Sequence, residues 1–373
     1  MNKQATHVTH KEPLFRITKR DGIAFWKAWA IRVGAILLSL VACALVIYLL
    51  TDLNPIQVYE AIVKGAVGTK KRTWVTLRDA LTLLCISVAI TPAFKMKFWN
   101  VGAEGQVLMG GLVTAAVMIY AGDRLSPAIL FLVMLVASIL AGMVWGLIPA
   151  IFKAKWNTNE TLFTLMLNYV ATQLVTFCIV FWENPAGSNA VGIINPLTEG
   201  GWLPPLFGLT YGWNLVIVLG ITLVMYIYLK YSKQGYEIAV VGESENTARY
   251  AGINVKKVIL RTMSISGALC GIAGFLLVSG ASHTISTSTA GGRGFTAIIV
   301  AWLSKFNAFV MMLVSFLLVF MEKGAIQIAS QFNLNESASD VLTGIVLFFV
   351  LGCEFFINYR LNRNHNKKEE AAK

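Results

Sequence analysis

From Thr262 to Gly292 the chain runs without a single Asp, Glu, Lys or Arg, and it does so again from Val33 to Thr51, Gly105 to Gly122, Leu125 to Phe152 and Thr161 to Trp182. Each run is long enough for a helix to cross about 30 Å of hydrocarbon. In that solvent the backbone must satisfy its own hydrogen bonds, so the runs have to be helical. The fold class that follows is an all-α polytopic membrane protein. Composition agrees, with 56% of the 373 residues hydrophobic and 13% charged, against about 25% charged in an average soluble domain.

The charge-free runs and their flanks predict ten membrane segments, near residues 29–50, 74–94, 101–121, 127–152, 160–182, 213–231, 260–280, 294–304, 307–328 and 338–358. The second and eighth are the weakest. The second carries Arg78, Asp79 and Pro92, and the eighth, opened by Gly291-Gly292-Arg293-Gly294, is too short for a full span and reads as re-entrant. Ten crossings leave both termini on one side, and alternate loops place most of the 31 Lys and Arg there, which makes that side cytoplasmic. The expected organisation is a basic cytoplasmic tail (1–28), a transmembrane domain (29–358) and a cytoplasmic C-terminal tail (359–373). Within the domain, loop 183–212, free of Lys and Arg, is expected outside, and the charged loop 232–260 inside.

The net charge of +12 is spread through short loops and tails, with no basic patch interleaved with aromatics, so the lipid bilayer and not nucleic acid is the expected partner. The five cysteines, Cys43, Cys85, Cys178, Cys270 and Cys353, lie in apolar runs without a C-x-x-C pair and read as small hydrophobes. Leu40-Val41-Ala42-Cys43 resembles a lipoprotein cleavage box, but the apolar run continues past it, and a chance match is expected. No phosphate loop, H-E-x-x-H or G-x-S-x-G occurs, and three of the four histidines sit in the tails. Neither catalytic nor metal-ligating residues are expected.

Three stretches carry polar groups in places that demand a reason. In loop 232–260, Ser244 is placed to cap a short helix, Glu245–Tyr250, that Gly252 would stop. A loop this long exceeds a mere connection, and a docking helix is expected in preference to a solvated surface helix. In the fifth segment Thr161, Thr164, Asn168, Thr172 and Thr176 form one helical stripe, open to two readings: interhelical hydrogen bonding or the lining of a polar path. In Lys97–Gly111, Gly102, Gly105, Gly110 and Gly111 weaken helix and allow close approach, while Asn100, Glu104 and Gln106 can satisfy an unwound backbone. A broken or tightly packed helix is expected there, with Glu104 either a proton or ion site or part of a hinge or cap.

These residues resemble a family. Phe98-Trp99-Asn100-Val101-Gly102-Ala103-Glu104-Gly105-Gln106 is similar to the F-N-I-G-A-E-G-Q signature of permease subunits of bacterial ABC importers for nucleosides and simple sugars, in the ribose and branched-chain amino acid permease superfamily. Asn159-Glu160 with Thr164 to Tyr169 resembles the family's N-E-V-x-x-T-L-M-L-N-Y segment. Gly242, Asn246, Ala248, Tyr250 to Ile253, Ser266-Gly267-Ala268 and Gly271 to Gly274 match its cytoplasmic loop and the following span, and Gly294-Phe295, Ile298 to Ala301 and Asn307 its next run. The resemblance extends from about Leu77 to the last span. Trp99 is inserted in the first motif, Ala301-Trp302-Leu303-Ser304 replaces A-L-L-G, and Ala308 stands where Pro is usual.

The resemblance implies a multi-pass permease of the bacterial cell membrane, the longer member of a permease pair, moving a small neutral polar solute. Nucleosides are the leading solute class and simple sugars the alternative. It implies a second, shorter permease subunit, a separate cytoplasmic ABC ATPase that carries the ATP and Mg, and an extracytoplasmic substrate-binding lipoprotein, with no cofactor in this chain. Glu245, Asn246, Ala248, Tyr250, Ala251, Gly252 and Ile253 become the expected ATPase-coupling residues, and Asn100, Glu104, Gln106, Thr164, Asn168 and Thr172 the expected substrate path. An ion-coupled secondary transporter would instead require acids deep in the spans, of which few are apparent, and a membrane enzyme would require a catalytic constellation.

Overall fold

The computed structural model describes residues 15–20, 22–51, 54–206, 208–332 and 336–363. The outer parts of the two tails therefore lie outside the described residues. Helices run in the order α1 (Phe25–Thr51), α2 (Pro55–Val67), α3 (Lys70–Lys95), α4 (Ala103–Ala121), α5 (Pro127–Trp156), α6 (Glu160–Trp182), α7 (Gly212–Tyr231), α8 (Lys233–Glu243), α9 (Glu245–Tyr250), α10 (Val255–Leu277), α11 (Arg293–Leu303), α12 (Ala308–Gln331) and α13 (Glu336–Asn358). Every expected segment coincides with a helix. Among the described residues, eight are long and apolar enough to cross a membrane: α1, α3, α4, α5, α6, α7, α10 with its π-helical extension Val278–Ser282, and α12. The eighth expected segment is α11, only 11 residues long, and at 1.5 Å per residue it covers about half of a bilayer core.

Three features were not anticipated. α2 was read as a connection, α8 was unassigned within the loop expected to carry the docking helix, and residues assigned to the two tails pair as an antiparallel ribbon, β1 (Phe15–Lys19) with β2 (Tyr359–Arg363), in which Phe15 faces Arg363. The ribbon belongs to a unit comprising residues 1–62 and 325–373. There α1 packs on α13 through Ala28, Cys353 and Ile357, and the Cys43 thiol donates to the Leu342 carbonyl at 3.7 Å.

The second unit, Val63–Gly324, holds the motifs. Its axis is α10, which lies against α3, α4 and α5. Without a hydrophobic drive between helices in lipid, association depends on close backbone approach at small residues. A Cβ on Gly271 would lie 2.1 Å from the Ser138 carbonyl oxygen, so only glycine permits the α5–α10 crossing at this depth. α3, the weak second segment, is buried along nearly all of its apolar length. Its low hydropathy is explained by its surroundings, which are protein and not lipid. At the far end of α10 the 183–212 loop folds back onto the bundle. Leu203 N–H donates to Ser279 O at 3.1 Å, Ile194 N–H to His283 O at 2.8 Å, and Asn195 Nδ2 to Met118 O at 2.8 Å.

Candidate functional site

The chain leaves α3 at Lys95 and does not re-enter a helix until Ala103, so the peptide groups between them need partners. Asn100, fully buried, supplies several. Its Oδ1 accepts from Gly102 N–H (3.1 Å) and Gln106 Nε2 (3.2 Å), while its Nδ2 donates to Gln106 Oε1 (3.4 Å) and to Ser266 Oγ on α10 (3.3 Å). α6 supplies the rest. Thr164 Oγ1 accepts from Val101 N–H at 3.2 Å, Asn168 Oδ1 from Gly105 N–H at 2.9 Å, and Asn168 Nδ2 donates to Val101 O at 3.0 Å. One amide thus grips both sides of the break. Thr172 and Thr176, farther along the stripe, bond only to carbonyls of their own helix, and Thr176 is exposed.

Glu104, in the first turn of α4, reaches a different element. Its Oε1 accepts from Gly292 N–H and its Oε2 from Gly294 N–H, both at 2.7 Å, so one carboxylate spans the start of α11. A helix start presents unsatisfied N–H groups and a partial positive charge, and a carboxylate there is stabilising on both counts. Next to this cap Arg293 turns toward α3, where Asp79, 1% exposed, receives three cations: Lys323 of α12 at 2.6 Å, Arg78 at 2.8 Å and Arg293 at 3.6 Å. Arg78 also bonds Tyr211 Oη at 3.3 Å. Arg78, Asp79, Arg293 and Lys323, scattered through the sequence, converge on one point. With three positive charges to one negative, the cluster is net cationic.

At its opposite end α11 meets the break through aromatic rings. Trp302 stacks on Trp99 with centroids 5.5 Å apart and planes at 21°, and Phe94 meets both edge-on. The two tryptophans belong to two of the three departures from the family motifs, and they touch each other.

The loop after α7 forms a two-helix elbow. Ser232 caps α8, accepting from Gly235 N–H at 2.9 Å, and Ser244 caps α9, accepting from Thr247 N–H at 3.3 Å. α9 ends as a Schellman motif: Ile253 N–H donates to Ala248 O (2.9 Å), Gly252 N–H donates to Arg249 O (3.0 Å), and Gly252 takes φ +75°, which favours glycine. The elbow is fused to the bundle, because Ile238, Val241 and Ala248 share a core with Met96, Phe98, Ala150, Val258 and Met263, and Arg261 of α10 pairs with Glu237 at 2.9 Å. Of the seven expected coupling residues, Ala248 and Ile253 turn inward as anchors. Glu245, Asn246, Tyr250, Ala251 and Gly252 are exposed, Tyr250 to 94%.

The structure thus brings together Asn100, Glu104, Gln106, Thr164 and Asn168, and leaves Thr172 a turn away. Sequence reasoning missed Ser266, the Asp79 cluster, the Trp99–Trp302 stack and α8. Arg78-Asp79 inside an apolar helix was the one visible signal, since ions in a span need partners.

Broken and half-length helices clamped by polar side chains within a polytopic bundle define a membrane transport protein. Residues 74–351 match the family described as branched-chain amino acid transport system / permease component, and the chain belongs to that family. It is similar to the glucose ABC transporter permease protein TsgB13 of Haloferax volcanii, 25% identical over 96% of both chains. It is also similar to the guanosine ABC transporter permease protein NupP of Bacillus subtilis, 29% identical over 85% of this chain and 91% of that one. The nucleoside ABC transporter permease protein NupB of Lactococcus lactis is 27% identical over 88% of this chain and 92% of its own.

Proposed function

We propose that the chain is the longer permease subunit of an ATP-binding-cassette importer that moves nucleosides into the bacterial cell. The observation that carries this reading is the family match across the spans, together with near-full-length similarity to two permeases named for guanosine and nucleosides. Simple sugars are the second reading, favoured by the glucose permease that aligns over 96% of each chain. A second, shorter permease completes the path. A binding lipoprotein delivers the solute, and a separate ATPase, holding ATP and Mg, drives the cycle. The exposed face of α9 is the docking surface for that ATPase, and its anchored inner face transmits the ATPase movement to α3, α5 and α10 as a packed element.

Asn100, Gln106, Thr164 and Asn168 act by fixing the wall of the solute path, since their polar groups are engaged with the break. Glu104 sets the position of α11, and Thr172 extends the stripe toward the path. Both termini lie in the cytoplasm, which the distribution of Lys and Arg supports, and the β1–β2 pairing keeps the flanks of the first and last spans together. The test is uptake by proteoliposomes containing the chain with its partner subunits and loaded binding protein. ATP-dependent accumulation of labelled guanosine is expected. Accumulation of glucose without nucleosides would transfer the assignment to sugars, and uptake driven by an ion gradient without ATP would overturn it.

A further inference from the structure

Helices α3 and α7 pack on each other, and α12 joins them in lining two cavities. At the α9 side they enclose a cavity of about 460 Å³ lined by Lys95 at the end of α3, Lys230 in the last turn of α7 and Lys305 in the turn before α12, with Thr91, Thr222 and Tyr226 between them. No carboxylate lines it among the described residues. Asn307 and Ala308 also border it, and Asn307 Oδ1 caps α12 by accepting from Phe309 N–H at 3.0 Å, so the positive end of that helix opens at the same place. Lys230 is held across the rings of Tyr226 and Tyr231, 5.3 Å from each centroid, and its Nζ donates to Tyr226 Oη at 3.0 Å. A lining of three lysines without a carboxylate favours an anion of phosphate size over a neutral hydroxylated solute, which would accept hydrogen bonds there but gain no charge pairing.

The same three helices form a second cavity, about 520 Å³ and almost wholly apolar, lined by Leu77, Leu84, Leu219, Phe309, Leu313 and Phe316. Each helix contributes to both cavities from positions about a turn apart or closer: Leu84 and Val88 on α3, Leu219 and Thr222 on α7, Phe309 and Ala308 on α12. A cationic cavity beside an apolar slot between the same three helices matches one kind of molecule in charge and in shape. We propose that this cleft binds an anionic membrane phospholipid, with the phosphate headgroup on Lys95, Lys230 and Lys305 and an acyl chain along Leu84, Leu219, Leu313 and Phe316. Basic pockets between spans on the cytoplasmic side hold acidic headgroups by the same electrostatics. A free phosphate or nucleotide would use only the first cavity.

The test is native mass spectrometry of the purified full chain offered equal amounts of phosphatidylglycerol and phosphatidylcholine with identical acyl chains. Retention of phosphatidylglycerol by about tenfold over phosphatidylcholine is expected. The triple variant Lys95→Gln, Lys230→Gln, Lys305→Gln should reduce that preference to near unity. Leu219→Trp with Leu313→Trp, both in the apolar slot, should lower retention of both lipids. Because Lys230 is at the surface, the single variant Lys230→Gln provides the same comparison if the triple variant does not elute as a monodisperse species. Equal retention of the two lipids by the unaltered chain would overturn the proposal. Displacement of phosphatidylglycerol by millimolar inorganic phosphate would also overturn it, in favour of a free-anion site.

Discussion

Asn168 shows how much can rest on one side chain. Replacing it with Leu would leave Gly105 N–H and Val101 C=O without their partners, at a cost of about 1–3 kcal/mol for each buried group. Asn168→Leu is therefore expected to lower both the unfolding temperature in detergent and uptake, with solute preference unchanged. A shift in preference at unchanged stability would mean that the amide touches solute directly. His283 illustrates a titratable contact at the mouth of the 183–212 loop, where its ring stacks on Trp202 with centroids 3.9 Å apart and planes at 11°. Burial, helped by Arg78 and opposed by Glu199, holds its pKa below the ordinary 6.5. The neutral ring is the form the fold prefers, so its contribution is complete above about pH 6.5 and is lost as pH falls toward the folded value, because the unfolded chain takes up the proton first. Melting measured from pH 7.5 down to 5.5 should show this decline, and His283→Phe should flatten it. An identical acid slope in the variant would place the sensitivity elsewhere.

Among the elements, α9 was legible to the residue, since Ser244 and Gly252 are local signals for a start and a stop and Ala248 is its single buried position. α8 was not, because its apolar stripe is short and follows α7 with only Ser232 between them. α3 was nearly lost for the opposite reason, as hydropathy treats lipid as the solvent and this helix is solvated by other helices. The exposure of α9 permits a clean perturbation at Ala251, which is exposed and sits at φ −77° in its C-cap. Ala251→Arg should leave folding and insertion intact while reducing uptake by about tenfold or more, equivalent to ~1.4 kcal/mol of lost docking. Normal uptake with normal copurification of the ATPase would reduce α9 to a connector.

At the scale of the whole molecule, orientation is testable with the native cysteines replaced. An impermeant maleimide should label Ser188→Cys on intact cells and leave Ser244→Cys untouched, and the reverse pattern would invert the topology. Membrane class and the helical segments were readable from the sequence, because burial in hydrocarbon acts on every stretch of chain independently of what packs beside it. The family motif around Glu104 was equally local. What Glu104 does was not: its partners Gly292 and Gly294 lie 188 and 190 residues away. The gathering of Arg293 and Lys323 on Asp79, the stacking of Trp99 on Trp302 and the lysine-lined cleft share that property. Each depends on which faces of distant helices meet and at what height, and that is settled by close packing at small residues such as Gly271, a many-body fit that hydropathy and periodicity along a single segment do not encode.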